Sequence, residues 1–179
     1  EFPQNTTFAQ ANLMKCYYEK QDFVNSEIYA DKVLKNPKMD DKIKSDAQII
    51  IARSAIKTNN DAKAKEAYAK LQKIAKGELA AEALYYDAYF KNKEGKFDAS
   101  NKAVEKYSST YSGYKYFGAK SLVVMAKNYY GLKDSFQATE ILQSIIDNFT
   151  EFPDVVTECQ TELDKIKAEE AKTNSSVTK

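Results

Sequence analysis

The chain has 179 residues, the size of one domain, with 27 Lys+Arg against 26 Asp+Glu and a formal charge of +1. So even a balance argues against the clustered basic excess of a nucleic-acid binder and gives no long-range pull towards an anionic membrane. The chain has no histidine, which removes most general-base and metal-ligand schemes, and its five Gly and three Pro leave few turns.

Glu1 and Phe2 resemble a restriction-site scar, so residues 1–5 read as a lead-in or cloning remnant and 6–171 as a single domain. Ala, Lys, Glu, Leu, Tyr and Asp then dominate, a helical composition. No Val/Ile/Thr alternation bounded by turns persists. The longest apolar run, around Leu122–Ala126, is broken by Lys120 and Lys127, so no segment is expected to insert into a membrane.

Four stretches then say the same thing. "YYEKQDFVNSEIYADKVL" (Tyr17–Leu34) has aromatics, a polar turn, an aromatic and then Ser26, Ala30 and Val33. "AIKTNNDAKAKEAYAKL" (Ala55–Leu71) has Ala64, Tyr68 and Leu71 after its turn. "KNKEGKFDASNKAVEKY" (Lys91–Tyr107) has Ser100, Val104 and Tyr107, and "NYYGLKDSFQATEILQSI" (Asn128–Ile145) has Ala138, Leu142 and Ile145. The spacing i, i+4, i+7 puts each triad on one helix face. Its first member is always Ala or Ser, small enough for a neighbouring helix backbone to come close. A small or flexible residue also precedes each turn: Met14, Ala52, Ala88 and Ala126. The units start near Thr7, Ser45, Ala81 and Ala119, at offsets of 38, 36 and 38 residues. A near-constant period in this range means stacked supersecondary units.

Beyond the fourth unit, "FPDVVTECQTELDKIKAEEA" predicts a helix over 153–171. Pro153 suits the first turn, Asp154 favours the N-terminus, and Val155, Val156, Cys159, Leu163 and Ile166 form one stripe. Its half-polar character suits a capping helix; a coiled-coil partner helix is the rival reading. Residues 172–179 are polar and expected to be a disordered tail. Cys16 and Cys159 lack CxxC spacing, which argues against zinc. An end-to-end disulfide or two small apolar helix residues would account for them, and the second is the plainer account.

The pattern resembles the tetratricopeptide repeat family, in a degenerate, bacterial-type form, over roughly Thr7 to Phe149. The resemblance rests on the small slot of the first helix (Ala52, Ala88, Ala126), the aromatic pairs Tyr17–Tyr18 and Tyr129–Tyr130, the post-turn Phe23 and Phe97, the second-helix slot (Ser26, Ala64, Ser100, Ala138) and Pro37. "AEALYYDAYFKNKEGKFDAS" (Ala81–Ser100) carries it best. Departures are Met14 in the small slot, Lys91 and Ala55 for aromatics, Asp61 and Ser135 after the turn, Asp87 for an apolar residue, and Gln10 and Gln48 for bulky ones. The resemblance implies an all-α, αα-hairpin solenoid, a right-handed superhelix of about four helix pairs plus the C-terminal cap. An unrelated helical bundle is the alternative.

The family's first helices line a concave groove that binds extended peptides or helices. Carried over, that groove is basic and tyrosine-lined: Lys15, Tyr18, Arg53, Tyr85, Tyr89, Lys127 and Tyr130 would face the partner. Phe8, Ala11, Ile49, Ile56, Asn92 and Val123 share the same faces. Each tyrosine fits packing between helices as well as it fits recognition. The family variant that clamps the chaperone C-terminal carboxylate needs Lys and Asn at two positions. Here these hold Ala11, Ile49, Tyr85 and Val123, then Lys15, Arg53, Tyr89 and Lys127, so the Asn never appears.

No GxxxxGK[ST], GxGxxG or GxSxG occurs, and no catalytic residue, metal or cofactor is expected. The functional expectation is a protein–protein interaction scaffold or adaptor, monomeric or weakly oligomeric, with a protein or peptide partner. Its rival is a structural spacer or assembly subunit of a larger, cell-envelope complex, using the convex face or the ends. The Lys-, Asn- and Tyr-rich style, without Trp or His, resembles bacterial envelope proteins of the family and favours periplasm or envelope over cytoplasm. An enzyme is the third reading.

Overall fold

The structure, a computed structural model, describes residues 3–177, with side chains from Thr6 to Lys172. Those residues form an all-α helical repeat without strands. The first helices of successive hairpins are α1 (Pro3–Glu19), α3 (Asp41–Lys57), α5 (Gly77–Lys93) and α7 (Lys115–Gly131), each of 17 residues. The second helices are α2 (Phe23–Lys35), α4 (Asp61–Ile74), α6 (Phe97–Thr110) and α8 (Ser135–Asn148), followed by α9 (Pro153–Val177). These helices group into two compact units, the first ending at Tyr86 and the second beginning at Asp87, both inside α5.

Each hairpin turns the same way. Gln21, Asn59, Gly95 and Lys133 all have positive φ, 55 to 71°. They stand 38, 36 and 38 residues apart, the period read from the sequence. At each, the residue itself donates to a carbonyl three back and its successor to one five back: Gln21 to Tyr18 and Asp22 to Tyr17, Lys133 to Tyr130 and Asp134 to Tyr129, with Asn59–Asn60 and Gly95–Lys96 alike. This pair of bonds satisfies the last carbonyls of the first helix. The next residue begins the second helix: the side chains of Asp22, Asn60 and Asp134 accept from the backbone N–H three residues on. Lys96 has no such oxygen and makes no cap bond.

The second-helix triads are the core. All twelve residues, Ser26 through Ile145, are at most 2 % exposed, as are Met14, Ala52, Ala88 and Ala126. The two slots of a hairpin lie 12 residues apart in every repeat. Where the second slot is serine, its hydroxyl donates to the carbonyl of the first: Ser26 to Met14 and Ser100 to Ala88, each 2.8 Å. A small side chain on both helices lets the backbones approach, and the serine hydroxyl finds its acceptor there.

In the first unit α1 packs on α2, α2 on α3 and α3 on α4, and α1 also meets α3. In the second, α6 packs on α7, α7 on α8 and α8 on α9, and α7 also meets α9. Thus α9 takes the place of a next first helix. Its stripe, Val155, Cys159, Leu163 and Ile166, is buried against Ala119, Val123, Ala126 and the Ala138 triad. Val156 is only half-buried. Asp164 stands where the other first helices have their buried small slot, and it is exposed. A polar residue there suits a helix on which, among the described residues, no second helix of its own packs.

Two boundaries move. Each first helix begins four residues before the unit start read from the sequence, at 3, 41, 77 and 115. The slot residues fix register, whereas helix ends depend on capping, as where Asp40 accepts from the Ile43 N–H at 2.8 Å. Residues 3–5, read as lead-in, are therefore helical in backbone. Helix α9 runs past Ala171 to Val177, across most of the expected disordered tail; residues 178 and 179 lie outside the described part. No Gly or Pro stands between Ala168 and Val177 to stop it. Cys16 is an exposed free thiol and Cys159 a buried one. Burial pushes the Cys159 thiol up to about 11.

Candidate functional site

The residues expected to line one groove fall in both units: Lys15, Tyr18, Arg53 and Tyr85 in the first, and Tyr89, Lys127 and Tyr130 in the second. In the first, Lys15 on α1 donates to Asp46 on α3 at 2.6 Å. Arg53 on α3 grips Glu82 on α5 with two bonds, Nε to Oε1 at 3.0 Å and Nη2 to Oε2 at 2.5 Å. The Tyr68 hydroxyl adds a third at 2.9 Å. Glu82 is 2 % exposed. A buried carboxylate needs such partners, because an unpaired buried charge is strongly unfavourable.

The electrostatics follow from that cluster. The Glu82 hydrogen bond, opposed by burial, holds Arg53 above its ordinary pKa. Burial, with the Glu82 charge behind it, pushes Tyr68 up. Burial also raises Tyr18, which Arg53 partly counters and Glu82 reinforces. Tyr18 is half-buried with its ring on Phe23, centroids 5.9 Å apart. Tyr85 is 6 % exposed and edge-on to Tyr86, which stacks on Tyr68. Of the first unit's two candidate tyrosines, Tyr85 is thus packed inside and Tyr18 is partly accessible.

In the second unit Tyr89 is half-buried under Lys93, whose ammonium lies 5.4 Å from the ring centroid. Lys127 on α7 bonds Glu158 at 2.7 Å and Glu162 at 3.2 Å, both on α9. Burial disfavours its charge, but the Glu158 bond and the two carboxylates outweigh it, and its pKa is raised. Burial likewise opposes ionisation of Glu158, yet Lys127 and then Lys120 hold its carboxyl below the usual range. The Tyr130 hydroxyl donates to Glu169, which raises its pKa.

All three recurring cations, Lys15, Arg53 and Lys127, therefore meet an acid on the next first-helix position, 29 to 31 residues on. The cations expected to face a partner are thus paired, each within its own unit. The acids were missed from the sequence although a signal was present. Asp46, Glu82 and Glu158 stand at one register position of the repeat, with Phe8 and Lys120 at the same position in the first and fourth repeats. Phe8 is 72 % exposed, and Lys120 reaches Glu158 at 3.4 Å. Charges one repeat apart come together only if first helices pack side by side.

Asn92 is also not a free groove residue. Its amide donates to Asn128 Oδ1, and the fully buried Asn128 amide donates to Ser100 and Asn101, all at 2.7–2.8 Å. Nothing in periodicity marks Asn128, since a lone Asn in a helix usually reads as surface. Of the other groove candidates, Ile49 and Val123 are buried and Ala11 and Ile56 are half-buried.

A cleft of about 270 Å³ opens in the second unit beside these groups. Its apolar lining includes Phe97, Leu142 and Ile166, and its polar lining Lys127, Tyr130, Glu162 and Lys165. Gly131 leaves room for the Phe97 ring, with which a Cβ there would collide. A second hollow, of about 450 Å³ in the first unit, is lined by Asp41, Lys42, Asp46 and Lys76 with Ile74 and Leu79, so its charges are mixed. Among the described residues no cluster suits a metal ion, and no helix is long and apolar enough to cross a membrane.

No known family model matches the chain, and no curated protein matches it.

Proposed function

We propose that this chain is a protein-binding scaffold or adaptor of the tetratricopeptide-repeat type, and that it holds a partner segment against its first helices. The support for a repeat scaffold is the fourfold turn and the twelve buried triad residues, all at the read period. The observation that carries the binding reading is the cleft of the second unit, where an apolar floor and a polar rim meet at Lys127, Tyr130 and Lys165. Concave sites with an apolar body and a few convergent polar groups are where recognition concentrates. The tyrosines add rigid contact area with a hydrogen-bonding tip.

A second reading, the spacer or assembly subunit, is favoured by a different observation. Val24 and Ile28 lie on one face of α2 and are 71 % and 46 % exposed; Phe136 on α8, at the register position of Val24, is 69 % exposed. Exposed apolar residues on second helices fit a partner docked on the outer side of the hairpins.

Photo-crosslinking separates the two. Benzoylphenylalanine replaces Tyr130 in one variant and Phe136 in another, and each full-length chain is irradiated in extracts of its source cells. An adduct of one discrete mass at 130 and none at 136 is the expected result. An adduct at 136 alone would transfer the function to the outer face.

A further inference from the structure

Lys165 repeats, on α9, the register position of Lys15, Arg53 and Lys127; it follows Lys127 by 38 residues, the period of the array. The three earlier cations each meet a carboxylate. Lys165 has no ion-pair partner among the described residues, and it lines the 270 Å³ cleft. Lys127, which lines the same cleft, is already held by Glu158 and Glu162. Lys127 and Lys165 line the hollow together with Glu162, and of the two lysines only Lys165 is without a carboxylate partner among the described residues. Below it the lining is apolar: the Phe97 ring, admitted by the missing side chain of Gly131, with Leu142 and Ile166.

From this geometry we infer that the cleft is a two-part recognition pocket for an acidic residue beside a large apolar one in an extended partner segment. The inference rests on the protein-binding reading and adds the chemistry of the partner. The apolar side chain fills the hollow over Phe97, and the neighbouring Asp or Glu meets Lys165. Charge complementarity decides the sign. A basic segment would set its cation against Lys165, whereas an acidic one completes the pairing that every other cation of this register has. The volume admits one or two side chains, so the pocket anchors a segment and does not enclose it. The apolar contact supplies most of the affinity, and Lys165 sets orientation.

The test uses the full chain, labelled for amide NMR, and three synthetic probes. The first is an acetylated, amidated peptide of alternating Glu and Leu. The second has Lys for Glu, and the third has the acidic sequence with a free C-terminal carboxylate. Expected are saturable shifts centred on the amides of Gly131, Ala126 and Lys165 with the first probe and none there with the second. Lys165→Glu should weaken the first probe about three- to tenfold, the effect of one exposed charge, while Lys165→Arg and the first-unit control Lys20→Glu leave it unchanged. Shifts scattered over the surface, or an unchanged affinity in Lys165→Glu, would overturn the inference. Much tighter binding of the third probe would overturn it in favour of a chain terminus. A discrete adduct at 130 combined with no acidic-peptide binding would leave the scaffold reading standing and remove this partner chemistry.

Discussion

The two units solve one problem differently. Where α3 meets α5 in the first unit, the first helices are joined by charge: Arg53 and Tyr68 converge on buried Glu82. Where α5 meets α7 in the second, the join is neutral: the Asn128 amide links Asn92, Ser100 and Asn101. Both networks use up the hydrogen-bonding capacity of a buried polar side chain, and that makes them sensitive to the loss of one partner. The two joins also stand at different repeat positions: Asn92 and Asn128 fall at the register of Ile56 and Ser54, not of Arg53 and Glu82, so neither the place nor the chemistry of the link repeats.

Breaking each join gives the largest effect. Glu82→Gln should destabilise by about 2–4 kcal/mol; the full loss for a buried pair is discounted because the Arg53 side chain, 42 % exposed, rehydrates. Asn128→Ala should lose about 2–3 kcal/mol, since Ser100 loses a partner in a buried place and Asn92 and Asn101 lose theirs in half-buried ones. Urea unfolding gives the size and per-helix hydrogen exchange the location. Glu82→Gln should loosen α3 and α4, and Asn128→Ala should loosen α6 and α7. If both variants speed exchange in the same helices, the two joins are not separate devices.

Next comes the slot that both units share. Ala138 is fully buried, 12 residues from Ala126. Ala138→Leu should destabilise by about 1–3 kcal/mol, the range for overpacking. An unchanged melting temperature would mean that the slot register is misplaced.

Acid should sharpen the contrast within the second unit, between its neutral join and the charged α7–α9 join. Glu158 is held below its ordinary value of 4.5, so the stability it adds is complete above that value and is lost as pH falls through its folded value. Lys127 is raised above 10.5, so its share persists below that value and is lost only as pH rises past its folded one. The cap α9 should therefore loosen first on the acid side. Glu158→Gln should flatten that acid limb by under about 1 kcal/mol after solvent screening, as followed by exchange in α9 across a pH series. An acid limb identical to that of the unaltered chain would remove Glu158 from the account.

The smallest effect concerns the turns. Gly95 takes its positive φ freely, whereas Gln21 and Lys133 bear a side chain in the left-handed region. Lys133→Gly and Gln21→Gly should each stabilise by about 0.5 kcal/mol, the relief of strain offset in part by the looser unfolded chain. A loss at either site in a thermal melt would show that its side chain does more than tolerate the turn.

The helices, the register and the slots can be read from the residues alone. Burial acts on single faces: a triad at i, i+4, i+7 must point one way, and a small residue that recurs at constant period must meet a backbone. That is why Ser26, Ala64, Ser100 and Ala138 were legible before any coordinates. How the polar side chains pair cannot be read that way. Lys15, Arg53 and Lys127 look alike as free cations along the chain, because their acids lie about thirty residues away, across two turns. Tyr85 and Tyr130 likewise read the same; packing buries one and leaves the other at a cleft. Helix formation is local and short-ranged, so sequence reports it. The pairing of charges and amides depends on which helices lie side by side, and only the folded chain brings those together.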